Sequence, residues 1–132
     1  MPTEKFAFSG HAGHTLAGRL ERPAGPQLAT AIFAHCFTCS KDLLAAREIA
    51  TALGDQGVAV LRFDFTGLGK SEGEFADSHF VANILDLEDV NKFICEEYEP
   101  PVLLVGHSLG GAAAIVASAQ LENIQAVATI GA

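Results

Sequence analysis

The sequence predicts an α/β fold, a mostly parallel sheet with flanking helices, on two observations. Short apolar runs alternate with longer stretches of helical periodicity, the pattern of strands joined by crossover helices. A glycine-bracketed serine, Gly106-His107-Ser108-Leu109-Gly110, stands where one such apolar run meets one such periodic stretch.

The elements follow in order. Residues 6–8 and 16–21 read as two early strands joined by the turn-rich Ser9-Gly10-His11-Ala12-Gly13. Prolines 23 and 26 break the chain, and 29–34 reads as a buried strand. Ser40 can cap a helix over 41–53, with Leu43, Ala46, Ile49, Ala50 and Leu53 on one face and Gly54 and Gly57 ending it. Residues 58–63 form a continuous apolar strand interrupted only by Arg62, as a sheet covered on both sides requires. Gly67, Gly69 and Gly73 mark a loop. A helix over 78–98 buries Phe80, Ile84, Leu87, Ile94 and Tyr98, with Asp86, Glu88, Asp89, Glu96 and Glu97 on a solvated face. A strand at 102–105, an Ala-rich helix at 109–121 packed closely between its neighbours, and a last strand at 126–130 complete the chain.

Composition bounds the function. The 132 residues suffice for one domain with a real core, and 49% apolar against 18% charged residues is a globular balance. A net charge of −8, from sixteen acids and eight scattered Lys and Arg, leaves no basic stripe for nucleic acid or an anionic membrane. No apolar run approaches the roughly 20 residues of a membrane span, and the N-terminus lacks a secretory pattern. Three cysteines make no disulfide framework, so a reduced, cytoplasmic chain is expected. No metal or organic cofactor is expected.

The chemistry sits at Ser108. The motif G-x-S-x-G, strand before and helix after, is a nucleophile elbow, in which flanking glycines leave room for a turn too sharp for side chains. Acyl transfer further requires two backbone N–H donors aimed at the developing oxyanion. One is the amide of Leu109, at the positive end of the helix. The other belongs to the loop after the 29–34 strand, with Phe37 the first choice and Cys36 the second.

His35-Cys36-Phe37-Thr38, Asp64-Phe65-Thr66-Gly67-Leu68-Gly69-Lys70-Ser71 and Gly106-His107-Ser108-Leu109-Gly110-Gly111 resemble three ordered landmarks of α/β-hydrolases, closest to the esterase and serine-aminopeptidase-like branch. That family usually carries His-Gly-Phe where this chain has His35-Cys36-Phe37. The Cys-Phe-Thr-Cys-Ser-Lys-Asp form resembles the hydrolase half of bacterial proteins fused to an OsmC-like peroxide-reducing domain. The resemblance implies that residues 1–132 are the N-terminal portion of a single α/β-hydrolase domain, an incomplete fold ending after the strand that follows the nucleophile helix. It implies a serine hydrolase acting on small-molecule carboxylic esters or amides through an acyl-Ser108 intermediate. The alternative is a non-catalytic binding or assembly module, associated with an OsmC-type domain.

The remaining cysteines and histidines have plainer readings. Cys36 and Cys39 form a C-x-x-C without a thioredoxin context or two further zinc ligands, and both are expected near Ser108. Cys95 reads as a small core residue. His35 reads as a brace for the oxyanion loop, His107 as pointing away from the site it adjoins, and His11 and His14 as solvated turn residues. All five histidines, His79 included, precede Ser108, and after Ser108 the only ionisable side chain is Glu122. In this fold's chain order the acid and the histidine follow the serine. The 132 residues alone are therefore expected to be inactive, and to self-associate through the unpaired strand at 126–130.

Overall fold

Six strands and three helices alternate among the described residues, which in this computed structural model are 3–11, 13–35, 41, 44–73 and 79–131. They are β1 (Thr3–Ser9), β2 (Thr15–Glu21), β3 (Ala29–Ala34), α1 (Leu44–Asp55), β4 (Val58–Phe63), α2 (Phe80–Glu97), β5 (Leu103–His107), α3 (Leu109–Ser118) and β6 (Ala126–Ile130). One sheet contains all the strands, in the order β1-β2-β4-β3-β5-β6. The β1–β2 and β2–β4 pairs are antiparallel, and β4, β3, β5 and β6 run parallel. The chain adopts the mostly parallel α/β sheet that its apolar runs predict.

The strands of continuous apolar sequence are those covered on both faces. On one face Ala46 and Ala50 of α1 pack against Phe33, Val60 and Val105. On the other, Leu87, Val90 and Ile94 of α2 join Ala113, Ala114 and Ala117 of α3 against Ile32, Leu61, Phe63 and Leu104. Small residues on α3 let it lie close to the sheet. Asn91 and Asn123 exchange side-chain amide hydrogen bonds of 3.1 and 2.9 Å, pinning α2 to the turn before β6. At the other edge the Phe6 ring lies over Gly18, where a Cβ would come within 2.2 Å of it, and stacks on Phe93 at 5.2 Å.

Several expectations are corrected. Asp86 is not solvated but fully buried, because both its oxygens are used inside: Oδ2 accepts the Thr66 N–H at 2.7 Å and Oδ1 the Thr66 hydroxyl at 2.9 Å. Cys95 is exposed rather than a core residue; Ile94 takes the inward position and the next residue turns about 100° away from it. Phe80 is also exposed, at the first turn of α2, and Tyr98 is half-buried. Helix α3 is packed on one face only, leaving Ile115 and Val116 exposed. It ends at Ser118, and β5 continues to His107. Helix α1 runs on through Gly54 to Asp55, and Lys41, expected to open it, is instead a buried residue of the preceding segment. The expected cap Ser40 and the apolar Leu43 lie outside the described residues.

Burial holds the Asp86 carboxyl above its ordinary value of 3.8, against the lowering effect of the Thr66 bonds and of nearby His11. The folded chain thus takes up this proton at higher pH than the unfolded chain does. Stability from this group is complete below 3.8 and is lost as pH rises through the raised value. Asp86→Asn keeps both bonds, with its amide donating to the Thr66 hydroxyl, but cannot titrate. Thermal melts from pH 7 down to pH 4 are expected to show the wild type gaining on Asp86→Asn as pH falls. A constant or shrinking difference overturns this account.

Candidate active site

In a parallel sheet, sites form at the carboxyl ends of the strands, where the strand order reverses. Here that point lies between β3 and β5, since the chain leaves β3 for β4 on one side and later adds β5 on the other. The segment after β3 and the turn after β5 flank it.

The turn after β5 is Ser108. It carries φ 55° and ψ −120°, and it alone among the described non-glycine residues has positive φ. Such a conformation is strained and persists only where its surroundings impose it. The surroundings are explicit. A Cβ on Gly106 would lie 2.4 Å from the Gly111 Cα, and one on Gly110 would lie 2.3 Å from the carbonyl oxygens of both Ala34 and His35. The start of α3 therefore rests directly on the main chain at the end of β3. The Ser108 N–H donates to the Ile130 carbonyl at 2.8 Å, so β6 also seats the turn. Ser108 stands at the N-cap of α3, yet its hydroxyl makes no capping bond. Leu109 opens α3, and its N–H belongs to the first turn, which has no partners within the helix.

On the β3 side, His35 is buried and its Nε2 accepts the Phe65 N–H at 3.1 Å. That nitrogen therefore offers a lone pair to the main chain, leaving the proton to Nδ1. The ring also meets Phe65 edge-on, with centroids 4.8 Å apart. The ring is thus bonded to the stretch after β4, whereas a general base would need the Nε2 lone pair free. His107 is half-buried at the end of β5. Phe37, Cys36 and Cys39 lie outside the described residues.

Three residues to which the sequence reading gave no role of their own organise this end of the sheet. Asp64, fully buried, accepts the Lys41 N–H at 2.7 Å on Oδ1. Its Oδ2 takes the Lys41 ammonium at 2.7 Å and the Lys70 N–H at 2.9 Å. Arg62, buried within β4, donates to the Lys41 carbonyl and to the Glu21 carboxylate. Gly69, at φ 54°, has no room for a Cβ, which would fall 2.3 Å from the Asp64 carboxyl. A signal for them was present: a lone Arg in an apolar strand, and an Asp at that strand's end followed by Gly-x-Gly.

Elsewhere the chemistry is sparser. Among the described residues, His11, Asp86 and Asp89 offer ligand atoms within 4.8 Å of one another. They are bonded among themselves: Asp89 Oδ2 accepts the His11 N–H at 2.6 Å and lies 2.9 Å from His11 Nδ1. His14 is half-buried, with its Nδ1 buried and without a hydrogen-bond partner. A cleft of about 810 Å³, lined by Arg22, Leu28, Thr30, Glu97 and Tyr98, lies at the amino ends of β3 and β5, the opposite edge from Ser108. No described helix is long and apolar enough to cross a membrane.

Sheet order, elbow and flanking helices define an α/β-hydrolase fold. Solved structures agree. The esterase domain of a Rhodothermus marinus protein superposes with a TM-score of 0.79 at 45% identity, over 98% of this chain and 50% of that one. An α/β serine hydrolase without a lid from Xanthomonas campestris gives 0.86 at 26% identity, over 98% and 62%. The rat monoglyceride lipase is 40% identical over 75 residues, which are 55% of this chain and 25% of the lipase. The family model for serine aminopeptidase, S33, matches residues 28–132. The chain belongs to this S33 serine aminopeptidase family of hydrolases. It spans about half the length of the solved esterase domain and a quarter of the lipase.

The contact beneath α3 makes Gly110 the most demanding position of the turn. Gly110→Ala is expected to destabilise the chain by about 2 kcal/mol or more, since backbone carbonyls cannot step aside as a side chain can. Denaturant melts check this, and a loss below about 0.5 kcal/mol would remove the steric account.

Proposed function

We propose that Ser108 is the nucleophile of a serine hydrolase acting on carboxylic esters or amides. Its hydroxyl attacks the substrate carbonyl, the leaving group departs, and water releases the acyl group from Ser108. The Leu109 N–H is one oxyanion donor; the N–H of Phe37, or in second place of Cys36, is the other. The observation that carries the reading is Ser108 itself: a strained residue at a helix N-terminus, with its hydroxyl uncommitted to capping. Membership of a hydrolase family, and relatives named as an esterase and a lipase, support the ester class.

The acid and base of this reaction come from outside these 132 residues. No Asp or His follows Ser108 in the sequence, and the His35 Nε2 lone pair is taken by Phe65. The second reading, carried by the resemblance of Cys36-Phe37-Thr38-Cys39-Ser40-Lys41-Asp42, is a non-catalytic module working beside an OsmC-type peroxide-reducing domain.

A fluorophosphonate probe read by intact mass separates these. A parent protein that continues beyond Ala132 is expected to label stoichiometrically, and its Ser108→Ala variant not at all. The 132-residue chain is expected to label about 10⁶-fold more slowly or not measurably, as serine hydrolases do without a working base. A parent that stays unlabelled while folded would establish the second reading. Rapid labelling of the short chain would show a base within it.

The exposed edge at β6 carries a further expectation. The strand is uncharged and exposed along most of its length, its own Ile130 included, and α3 packed beside it exposes Ile115 and Val116. Unprotected edges of this kind pair with other chains. The isolated 132-residue chain is expected to self-associate in sedimentation velocity runs, and Thr129→Lys to shift it toward monomer. A monomeric wild-type chain would exclude edge pairing.

A further inference from the structure

Away from Ser108, the carboxyl group of Asp86 is fully buried, and the two donors bonded to it are neutral: the N–H and the hydroxyl of Thr66. Beyond them stands His11, with Nδ1 3.5 Å from Asp86 Oδ1. The same Nδ1 lies 2.9 Å from Asp89 Oδ2, and one ligand atom from each of the three residues falls within 4.8 Å of the others.

These separations suit a ligand set. Around a zinc ion, with bonds of about 2.0–2.2 Å, neighbouring ligand atoms stand about 3.3 Å apart, and 2.9 and 3.5 Å bracket that value. Two elements deliver the groups. Asp86 and Asp89 are three apart on α2 and so are neighbours on its surface. His11 comes from the turn between β1 and β2, and its main-chain N–H donates to Asp89 Oδ2 at 2.6 Å, which fixes where the ring stands. Both His11 and Asp89 are partly open to solvent and can rotate to close on an ion.

Hydrogen bonds alone would latch the turn to α2. Two further observations call for an ion. Asn83, one turn before Asp86 on α2, is fully buried, and its Oδ1 has no hydrogen-bond partner. Helix positions three apart bring their Cβ atoms within about 5–6 Å, so an unsatisfied acceptor oxygen sits beside a buried carboxylate. Oxygen atoms are gathered there in excess of the hydrogens that satisfy them. In addition, a cavity of about 400 Å³, lined by Phe8, Gly10, Lys92, Phe93 and Glu96, opens onto His11 and Asp89. It gives an ion a way in and leaves room for a water ligand, and the opposite charges of Lys92 and Glu96 offset each other along its wall.

We propose that His11, Asp86 and Asp89 form a zinc-binding site, with water from the cavity completing the coordination. Imidazole together with carboxylate suits zinc, and two carboxylates with a neutral imidazole leave the bound dication no net charge. Binding releases the proton shared between His11 Nδ1 and Asp89, and that of Asp86 where it is held. The ion ties the β1–β2 turn to α2 and, through Asp86, to Thr66. The site stands whether or not Ser108 is a nucleophile.

Calorimetric titration of zinc chloride into the 132-residue chain tests this, in a Cys36→Ser/Cys39→Ser/Cys95→Ser background so that no thiol competes. One equivalent is expected to bind with a Kd of about 1 µM or tighter, and saturating zinc is expected to raise the melting temperature by about 5 °C or more. His11→Ala and Asp89→Asn alter solvent-accessible positions, and the second keeps the main-chain bond from residue 11. Since changes outside the ligand shell already cost metal sites about 10–100-fold, each is expected to weaken zinc at least tenfold and to remove most of the melting shift. Glu48→Gln takes a charge from the exposed side of α1, across the sheet from α2, and is expected to stay within about twofold of the parent background. No binding at about 100 µM zinc, or an equal loss in Glu48→Gln, overturns the proposal. Undiminished binding in both ligand variants also overturns it, and would place the ion at another histidine.

Discussion

A cation in the middle of a doubly covered sheet sets the terms for much of this structure. Arg62 occupies a strand whose other residues, Val58 to Leu61 and Phe63, are apolar, and it is buried with them. Desolvating a guanidinium without partners costs several kcal/mol, so the fold must bring acceptors to it. One is Glu21, from the end of β2, beside β4 in the sheet. The other is the Lys41 carbonyl, from the connection between β3 and α1. Delivering that carbonyl buries Lys41, whose ammonium then needs a counterion, and Asp64 supplies it. One buried charge thus recruits three more, and the outcome is a rigid carboxyl end of the sheet next to the elbow.

Two kinds of constraint meet at that end. The elbow is steric: glycines at 106 and 110 let main chain touch main chain, and Ser108 takes the conformation that remains. The β3 side is electrostatic, a set of bonds from residues 62–65 to residues 35 and 41. Steric constraints are short-range and intolerant. Buried charge networks act over greater sequence distance and tolerate no missing member. The two are joined at His35, whose ring answers to Phe65 and whose carbonyl answers to Gly110.

This difference explains what the sequence disclosed. The elbow was legible because its requirement is local: Gly106, Ser108 and Gly110 lie within five residues, and the strand before and helix after them are visible as apolar patterns. Strands β3, β4 and β6 were legible to the residue for the same reason, as short runs bounded by breakers. Lys41 was misplaced into a helix because its partner is 23 residues away, and no pattern in a helical window contains Asp64. Asp86 was assigned to water because a carboxylate on a helix usually belongs there; its burial depends on Thr66, 20 residues earlier. Cys95 shows the limit of periodicity itself, since neighbouring positions on a helix differ by about 100° and two adjacent apolar residues such as Ile94 and Cys95 cannot both face in.

The edge of the sheet and the elbow are not separate matters. In a parallel ladder alternate residues of a strand turn their main-chain groups to the same neighbour. Ala126 donates to Val102, and Ile130 accepts from Ser108, so the N–H and C=O groups of Val127 and Thr129 face away from β5. These open groups lie on the strand whose last carbonyl holds the Ser108 amide. A chain segment that pairs with β6 covers Val127 and Thr129 and, by stiffening the strand, holds Ile130 in place under the turn. Conversely, a frayed β6 would release the Ser108 N–H and one of the constraints on its strained conformation. Cover for this edge and rigidity at the elbow would then depend on the same strand. That makes β6 the place where pairing at the sheet edge bears directly on the geometry of Ser108.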